Sequence, residues 1–309
     1  MSEPVQPDSL RAQLRPLAAA QAEPPEAQVY RQFYGLNIPG ANCRLGVVTV
    51  DGYEVVTQLW LPPAPTATLV LQHGYYDHMG LYRHVIAWAL GMGFAVLACD
   101  LPGHGLSSGP RASIGEFSEY QAVFKAVLGE AQSLDLPQPW HLCGQSTGGA
   151  IIVDFLLNNP VRAEIGEVLL LAPLVRPRAW GWSKLSYRVL RHFVTEIPRR
   201  FSPNSNDADF LAFIQTDPLQ PLSLPTAWVG ALSRWVPGIE GAKVIQRRVV
   251  IVQGDADMTV DWRFNLQVLR RKFSEVTVLM VESGRHHLAN ESAEIRQRYF
   301  AFLTEQFSR

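Results

Sequence analysis

The 309-residue chain, with 47% hydrophobic and 18% charged residues, is long enough to bury a large core without disulfide or metal staples. Its net charge of −1 gives no reason to expect a nucleic-acid partner. The cysteines, Cys43, Cys99 and Cys143, lack metal-ligand spacing, so we expect reduced thiols, no metal and no cofactor. With neither a bilayer-length apolar run nor a signal-peptide pattern, we expect a cytoplasmic protein.

The chain opens with about 40 residues rich in Pro, Ala, Gln and Glu, which predict a loosely attached N-terminal arm with a short helix. Two alternating runs, 44–50 and 53–61, flank Asp51-Gly52, a dipeptide that favours a tight hairpin turn. Further strands are predicted at 68–72, 95–99, 140–144, 168–171, 248–253 and 276–281. Helical patterns occur at 81–92, 115–134, 150–157, 262–272 and 291–307.

Strands that alternate with helices predict an α/β fold, with a mostly parallel, twisted sheet of about eight strands and helices on both faces. Residues 173–243 break the alternation with helical pieces, many prolines and four tryptophans. We therefore predict an inserted helical cap over the carboxyl ends of the strands, where ligands of parallel sheets bind. The predicted organisation is an arm (1–40), a core (41–172 and 244–309) and a cap (173–243).

One stretch in the middle of the chain has the spacing of a nucleophile elbow. The run Gly144-Gln145-Ser146-Thr147-Gly148 follows an apolar strand and precedes an apolar helix. In such an elbow the serine occupies a sharp, strained turn, so its hydroxyl stands clear of the backbone. The pattern alone also occurs in ordinary glycine-rich turns, but the strand before it and the helix after it favour a nucleophilic serine at position 146.

Candidates for the base and the acid follow from chain order, because an elbow serine is followed by its acid and then by its histidine. Of the eight histidines, five precede Ser146 and His192 lies in the cap region. His286 and His287 therefore remain as candidate bases. The strand ending at 253 is followed at once by Asp255 and Asp257, so the acid is one of these two.

Two backbone groups are predicted to form an oxyanion hole. The N–H of Thr147 lies directly after the elbow serine, and the N–H of Tyr75 lies in the loop that begins with His73-Gly74. We expect His73 itself to make a loop hydrogen bond. His104 lies in a glycine-rich turn before the serine, so we expect it to shape the wall of the site.

These motifs jointly resemble those of the α/β-hydrolase superfamily, and within it the group of monoacylglycerol lipases, lysophospholipases and serine aminopeptidases. The resemblance rests on residues 73–75, 100–107, 144–149, 254–257 and 284–286, and it extends from about residue 45 to the C-terminus. It implies that Asp257 is the acid and His286 the base. Many relatives carry His-Ser-Met-Gly-Gly at the elbow where this chain has 145–149, and we expect little effect of this departure on mechanism.

The resemblance implies a serine hydrolase that cleaves carboxylic esters through an acyl-enzyme, of the lysophospholipase or monoacylglycerol lipase type. An aminopeptidase or amidase on the same fold is one alternative, and a non-catalytic binding protein is another. The cap interleaves basic residues with aromatic ones. This pattern predicts transient contact with a lipid surface, and the alternative is a solvated basic outer face over an apolar inner face.

Overall fold

The computed structural model describes residues 5–19 and 23–307. The strands of its main sheet are β1 (Asn42–Val50), β2 (Tyr53–Leu61), β3 (Ala67–Gln72), β4 (Phe94–Cys99), β5 (Trp140–Gln145) and β6 (Ile165–Leu171), together with two later strands. A separate two-stranded sheet pairs β7 (Glu196–Pro198) with β8 (Ser223–Pro225), and the main sheet then continues with β9 (Ile245–Gly254) and β10 (Phe273–Val281).

The main sheet has eight strands in the order β1-β2-β4-β3-β5-β6-β9-β10. β2 runs antiparallel to both of its neighbours, and all the remaining pairs are parallel. The predicted mostly parallel sheet of about eight strands is therefore confirmed. Parallel strands end at one edge of the sheet, so the loops after β3, β5, β9 and β10 meet there.

Helices cover both faces of the sheet, as the alternating pattern predicts. The helices are α1 (Pro7–Gln13), α2 (Pro25–Tyr34), α3 (Arg83–Gly91), α4 (Phe117–Ser133), α5 (Thr147–Asn158), α6 (Trp180–Leu190), α7 (Ala208–Phe213), α8 (Thr226–Gly241), α9 (Trp262–Lys272) and α10 (Ala293–Phe307). Within β3, Val70 packs into the cluster of α4, α5 and α9, whereas Leu69 and Leu71 pack into the cluster of α3 and α10. This alternation buries both faces of the strand.

The described part of the N-terminal arm differs from expectation, because it is packed rather than loosely attached. Leu10, Leu17 and Tyr30 are fully buried, and the N–H of Val47 in β1 donates to the Arg15 carbonyl oxygen at 2.8 Å. The segment forms two helices, α1 and α2, where a short helix is predicted. These apolar side chains anchor the described part of the arm to the core, although its composition is rich in Pro, Ala, Gln and Glu.

Between β6 and β9 the chain leaves the main sheet and forms α6, β7, α7, β8 and α8. Trp235 of α8 donates from its indole N–H to the Asp154 carboxylate of α5 at 3.0 Å. These elements coincide with the predicted cap, whose boundaries stay a prediction. Among the described residues, no helix combines the length and the apolar character needed to cross a membrane.

A buried polar cluster joins the arm, the core and the cap region. The Asp217 carboxylate accepts a hydrogen bond from the Tyr34 hydroxyl at 2.6 Å and lies 2.8 Å from His78 Nε2. Burial alone would raise the pKa of Asp217, but His78 and the Tyr34 hydroxyl outweigh burial and lower this pKa to about 2. The charged carboxylate therefore stabilises contact between three separate segments of the chain.

Candidate active site

The turn between β5 and α5 holds Ser146 in an unusual backbone conformation. Its φ is +52° and its ψ is −110°, a combination that non-glycine residues rarely adopt. A Cβ on Gly148 would collide with the carbonyl oxygen of Gln72 in β3, and a Cβ on Gly144 would collide with the backbone of Gly148. The two glycines thus let the turn pack against β3 and α5, with the serine side chain at the helix N-terminus.

The side chains of Ser146, His286 and Asp257 form one hydrogen-bonded chain. Ser146 Oγ lies 3.0 Å from His286 Nε2, and His286 Nδ1 lies 2.8 Å from Asp257 Oδ2. The other carboxylate oxygen, Asp257 Oδ1, accepts from the N–H groups of Thr259 at 2.8 Å and Val260 at 3.2 Å. The aspartate is thereby fixed by the backbone of its own loop, and it fixes the imidazole in turn.

The electrostatics of these three side chains favour an ionised Asp257 beside His286. Burial opposes the charged imidazolium, but the Asp257 carboxylate outweighs burial and raises the pKa of His286 above its ordinary value. Burial likewise opposes the charged carboxylate, but His286 and the two loop N–H groups lower the pKa of Asp257. The arrangement can accept a proton at His286 Nε2 and stabilise the resulting positive charge.

The structure separates the alternatives that chain order leaves open. Asp255 is exposed, and its Oδ1 accepts from the Ser283 N–H at 2.7 Å. It therefore links the loop after β9 to the loop after β10. His287 is buried, with its Nε2 3.2 Å from the Asp77 carboxylate and its ring packed against Phe210. Neither side chain joins the chain of hydrogen bonds that ends at Ser146.

The two predicted oxyanion donors lie at the same pocket as the serine. Tyr75 and Thr147 both line it, and within residues 5–19 and 23–307 neither backbone N–H has an acceptor. The loop that carries Tyr75 is held from behind by Tyr82, a residue that the sequence motifs do not single out. The Gly74 N–H donates to the Tyr82 hydroxyl at 2.9 Å, and this hydroxyl donates to the Asp77 carboxylate at 2.8 Å.

Gln145 is a second functional residue that sequence reasoning missed. Its Nε2 donates to the His286 carbonyl oxygen at 2.7 Å, and its Oε1 accepts from the Ala289 N–H at 3.3 Å. The side chain therefore ties the nucleophile turn to the loop that carries the histidine. A signal was present in the sequence, because this is one of the two positions, with 147, at which the elbow departs from the His-Ser-Met-Gly-Gly of many relatives.

Two other histidines near the pocket have structural contacts, and the loop hydrogen bond expected of His73 is present. His73 Nδ1 lies 2.7 Å from the Gly74 carbonyl oxygen, and its Nε2 accepts from the Leu101 N–H at 2.8 Å. His104 Nδ1 lies 2.9 Å from the Pro102 carbonyl oxygen, and burial lowers the pKa of His104 to about 3. Burial also lowers the pKa of His73, so both rings are neutral at pH 7.

The serine opens into a pocket of about 360 Å³ between the strand ends and the cap region. Trp228 of α8 stacks on the ring of Tyr75 with centroids 3.8 Å apart and closes one side. The apolar side chains of the lining include Leu174, Trp180, Tyr187, Leu190, Ile197, Ile214, Leu224, Trp228, Val229, Leu232 and Val260. A wall of this composition suits a hydrophobic chain next to the reacting group. Among the described residues, no cluster of three His, Cys, Asp or Glu side chains could hold a metal ion.

A serine on the turn after a central parallel strand, with a histidine and an aspartate from later strand ends beside it, defines the α/β-hydrolase class. A family model described as serine aminopeptidase, S33, matches residues 63–293. The chain belongs to this family, since the match spans well over half of its length.

Several known proteins are similar to this chain over most of its length. It is 28% identical over 250 residues to a monoacylglycerol lipase of Mycolicibacterium smegmatis, covering 77% of this chain and 87% of that protein. It is 26% identical over 267 residues to human monoglyceride lipase, covering 82% and 86% of the two chains. The solved structure of Paleococcus ferrophilus monoacylglycerol lipase has a TM-score of 0.70 at 20% identity, covering 82% of this chain and 98% of that one. The chain is therefore a monoacylglycerol lipase-like α/β hydrolase.

Proposed function

We propose that the chain is a serine ester hydrolase that works through an acyl-enzyme, with a monoacylglycerol or a lysophospholipid as its substrate. The observation that carries this proposal is the hydrogen-bonded chain from Ser146 through His286 to Asp257 at an apolar pocket. The similarity to two monoglyceride lipases over about four fifths of the chain supports an ester substrate.

In the proposed mechanism, Ser146 Oγ attacks the ester carbonyl carbon while His286 Nε2 takes the hydroxyl proton. The Asp257 carboxylate holds the imidazole by its Nδ1 and stabilises its charged form. The N–H groups of Tyr75 and Thr147 bind the oxyanion, each donor contributing about 3 kcal/mol to lowering the barrier. His286 then delivers its proton to the leaving alcohol. Water repeats the sequence, releasing the acid and restoring the serine.

The substrate class is tested by hydrolysis of a small panel by the wild type and Ser146→Ala. The panel contains short and long 4-nitrophenyl esters, a monoacylglycerol, a lysophosphatidylcholine and an aminoacyl anilide. We expect serine-dependent release from the two lipids and from the long-chain ester. Activity confined to short esters would point to a small soluble substrate, and anilide cleavage would point to a peptidase. No turnover of any compound would favour a binding protein.

We further propose that α6 contacts the lipid surface from which the substrate comes. Trp182, Leu185 and Val189 are spaced to share one helix face, and their exposed fractions are 73%, 52% and 55%. Phe193, just past the helix, is 80% exposed. Residues 173–195 contain five basic residues and no acidic one. An exposed apolar stripe with basic neighbours is suited to a membrane with anionic lipids.

Vesicle sedimentation tests this contact. We expect the wild type to bind phosphatidylcholine vesicles containing phosphatidylglycerol, and Trp182→Ser combined with Phe193→Ser to bind about 10-fold more weakly because less apolar area enters the bilayer. Val161→Ser is the matched control, since Val161 is 84% exposed in the loop before β6. Equal binding of the double variant and the wild type would contradict the proposal, and so would equal loss in the control.

A further inference from the structure

A half-buried arginine reaches the pocket of Ser146. Arg199, the residue after β7, is half-buried and lines the pocket, and the exposed Arg200 beside it lines the pocket as well. Arg199 Nη1 donates to Gln220 Oε1 at 2.6 Å and to the Pro221 carbonyl oxygen at 3.1 Å. No ion pair of the described residues includes Arg199. A guanidinium withdrawn from water without a carboxylate is costly unless an anion joins it.

The guanidinium group is held in a fixed plane. Its central carbon lies 4.1 Å from the ring centroid of Tyr76 and 4.4 Å from that of Phe201. Aromatic faces attract this cation and restrict its orientation. Nε and Nη2 make no hydrogen bond within the described part of the chain, so both remain available to a ligand.

Asp77 and Asp217 are the carboxylates whose charges act on this guanidinium, and each has another hydrogen-bond partner. The Asp77 carboxylate accepts from the Tyr82 hydroxyl at 2.8 Å, and the Asp217 carboxylate lies 2.8 Å from His78 Nε2. Both therefore serve other partners, and neither lies within ion-pair distance of Arg199. The pocket lining holds two arginines, Arg199 and Arg200, and one aspartate, Asp77, so its positive groups outnumber its carboxylates.

We infer that Arg199 binds an anionic group of the substrate, so that the preferred substrate is a carboxylic ester carrying one phosphate or carboxylate. This inference rests on the proposed ester hydrolysis at Ser146. A planar guanidinium forms paired, charge-assisted hydrogen bonds with either anion. The anion fixes the substrate in the pocket while the apolar wall takes the hydrocarbon part.

Two matched pairs of soluble esters test the inference and show whether the anion belongs to the alcohol part or the acyl part of the ester. One pair is 1-hexanoylglycerol and its 3-phosphate, and the other is 4-nitrophenyl hexanoate and mono-4-nitrophenyl adipate. In the wild type we expect kcat/KM to favour the charged member of one pair. Arg199→Ala should lower this charged-to-neutral ratio by about 10-fold or more, mainly through KM, as expected for a lost charge-assisted hydrogen bond. Arg199→Lys should keep part of the ratio.

Arg270→Ala controls for net charge, because Arg270 is exposed on α9 and is not part of the pocket lining. Its charged-to-neutral ratio should equal that of the wild type. A wild-type preference for the neutral member of both pairs would overturn the inference. An equal loss on both members in Arg199→Ala would overturn it as well.

Calorimetric titration with hexyl phosphate separates this inference from the proposed function, because it needs no turnover. We expect the Kd of hexyl phosphate to rise about 10-fold or more in Arg199→Ala. Binding that depends on Arg199, without any ester hydrolysis, would contradict the proposed function and leave the anion site in place. Ester hydrolysis with equal Kd in both proteins would overturn the anion site alone.

Discussion

Replacing Gln145 with alanine tests whether the residue before the serine positions the histidine loop. The side chain is 1% exposed and makes two hydrogen bonds to the backbone of that loop, at His286 and Ala289. Gln145→Ala leaves both backbone groups without these partners. The imidazole then loses part of the restraint that keeps its Nε2 at 3.0 Å from Ser146 Oγ.

The size of the effect follows from the two lost contacts. A neutral hydrogen bond contributes about 1 kcal/mol net, so the pair contributes about 2 kcal/mol. If this loss falls entirely on the transition state, kcat falls by a factor of about 30. We therefore expect kcat to fall by about 10- to 30-fold and KM to change less than about 3-fold, because both contacts go to the loop backbone.

The assay is the full kinetic pH profile on 4-nitrophenyl butyrate, with the melting temperature measured beside it. Gln145→Glu is the matched variant, because it keeps an acceptor for Ala289 and loses the donor to His286. Its negative charge should raise the pKa of the histidine further, so the acid limb should move to higher pH. An unchanged acid limb in Gln145→Glu, or an alanine variant with kcat within about 3-fold of the wild type, would refute the positioning role.

Three further predictions concern proton transfer, the oxyanion loop and the cap. The proposed mechanism needs neutral His286, and the Asp257 carboxylate raises the pKa of His286. We therefore expect kcat/KM to fall as the pH drops through a midpoint above about 6.5, and a midpoint below 6 would contradict this. Tyr82→Phe removes the hydroxyl that accepts from the Gly74 N–H, and we expect fluorophosphonate labelling to slow by about 10-fold. Labelling at the wild-type rate would argue that Tyr82 does not position the loop of Tyr75. The pKa of Asp217 is lowered to about 2, below its unfolded value of about 3.9, so its stabilisation is present above about pH 4 and is lost as the pH falls towards 2. The melting temperature of the wild type should therefore fall more over that window than that of Asp217→Asn, and equal falls would exclude this role.

The sheet was predictable because each strand has its own local sequence pattern. Each strand of the parallel part is a short apolar run between turn residues, and Leu69, Val70 and Leu71 of β3 face alternate layers of helices. The arm was not predictable in the same way. Leu10, Leu17 and Tyr30 lie in a segment rich in Pro, Ala, Gln and Glu, and only the assembled core shows that each is fully buried.

Chain order predicted the acid and the base of the candidate site only as pairs of candidates. The order of motifs reduced the acid to Asp255 or Asp257 and the base to His286 or His287, and each pair comes from a single loop. Neighbours in one loop differ by the direction of their side chains, which a sequence without structure does not give. The resemblance implied Asp257 and His286, and these two side chains lie within hydrogen-bonding distance of each other.

The supporting contacts of the site lay beyond sequence reasoning. Tyr82 supports the oxyanion loop from a position eight residues after Gly74, and Gln145 contacts a loop 141 residues later in the chain. No spacing rule predicts such contacts, because they depend on how separate loops meet above the sheet. The basic, aromatic composition of the cap was visible in the sequence, but the position of Arg199 between the rings of Tyr76 and Phe201 is visible only in the structure.

Covalent labelling with a fluorophosphonate, followed by peptide mass spectrometry, tests whether Ser146 is the nucleophile. We expect one adduct per chain, on the peptide that contains Ser146, and no adduct in Ser146→Ala. The reaction should slow as the pH falls and His286 becomes protonated. An adduct on Ser183 or Ser202, which line the same pocket, or equal labelling of Ser146→Ala would show that Ser146 is not the nucleophile.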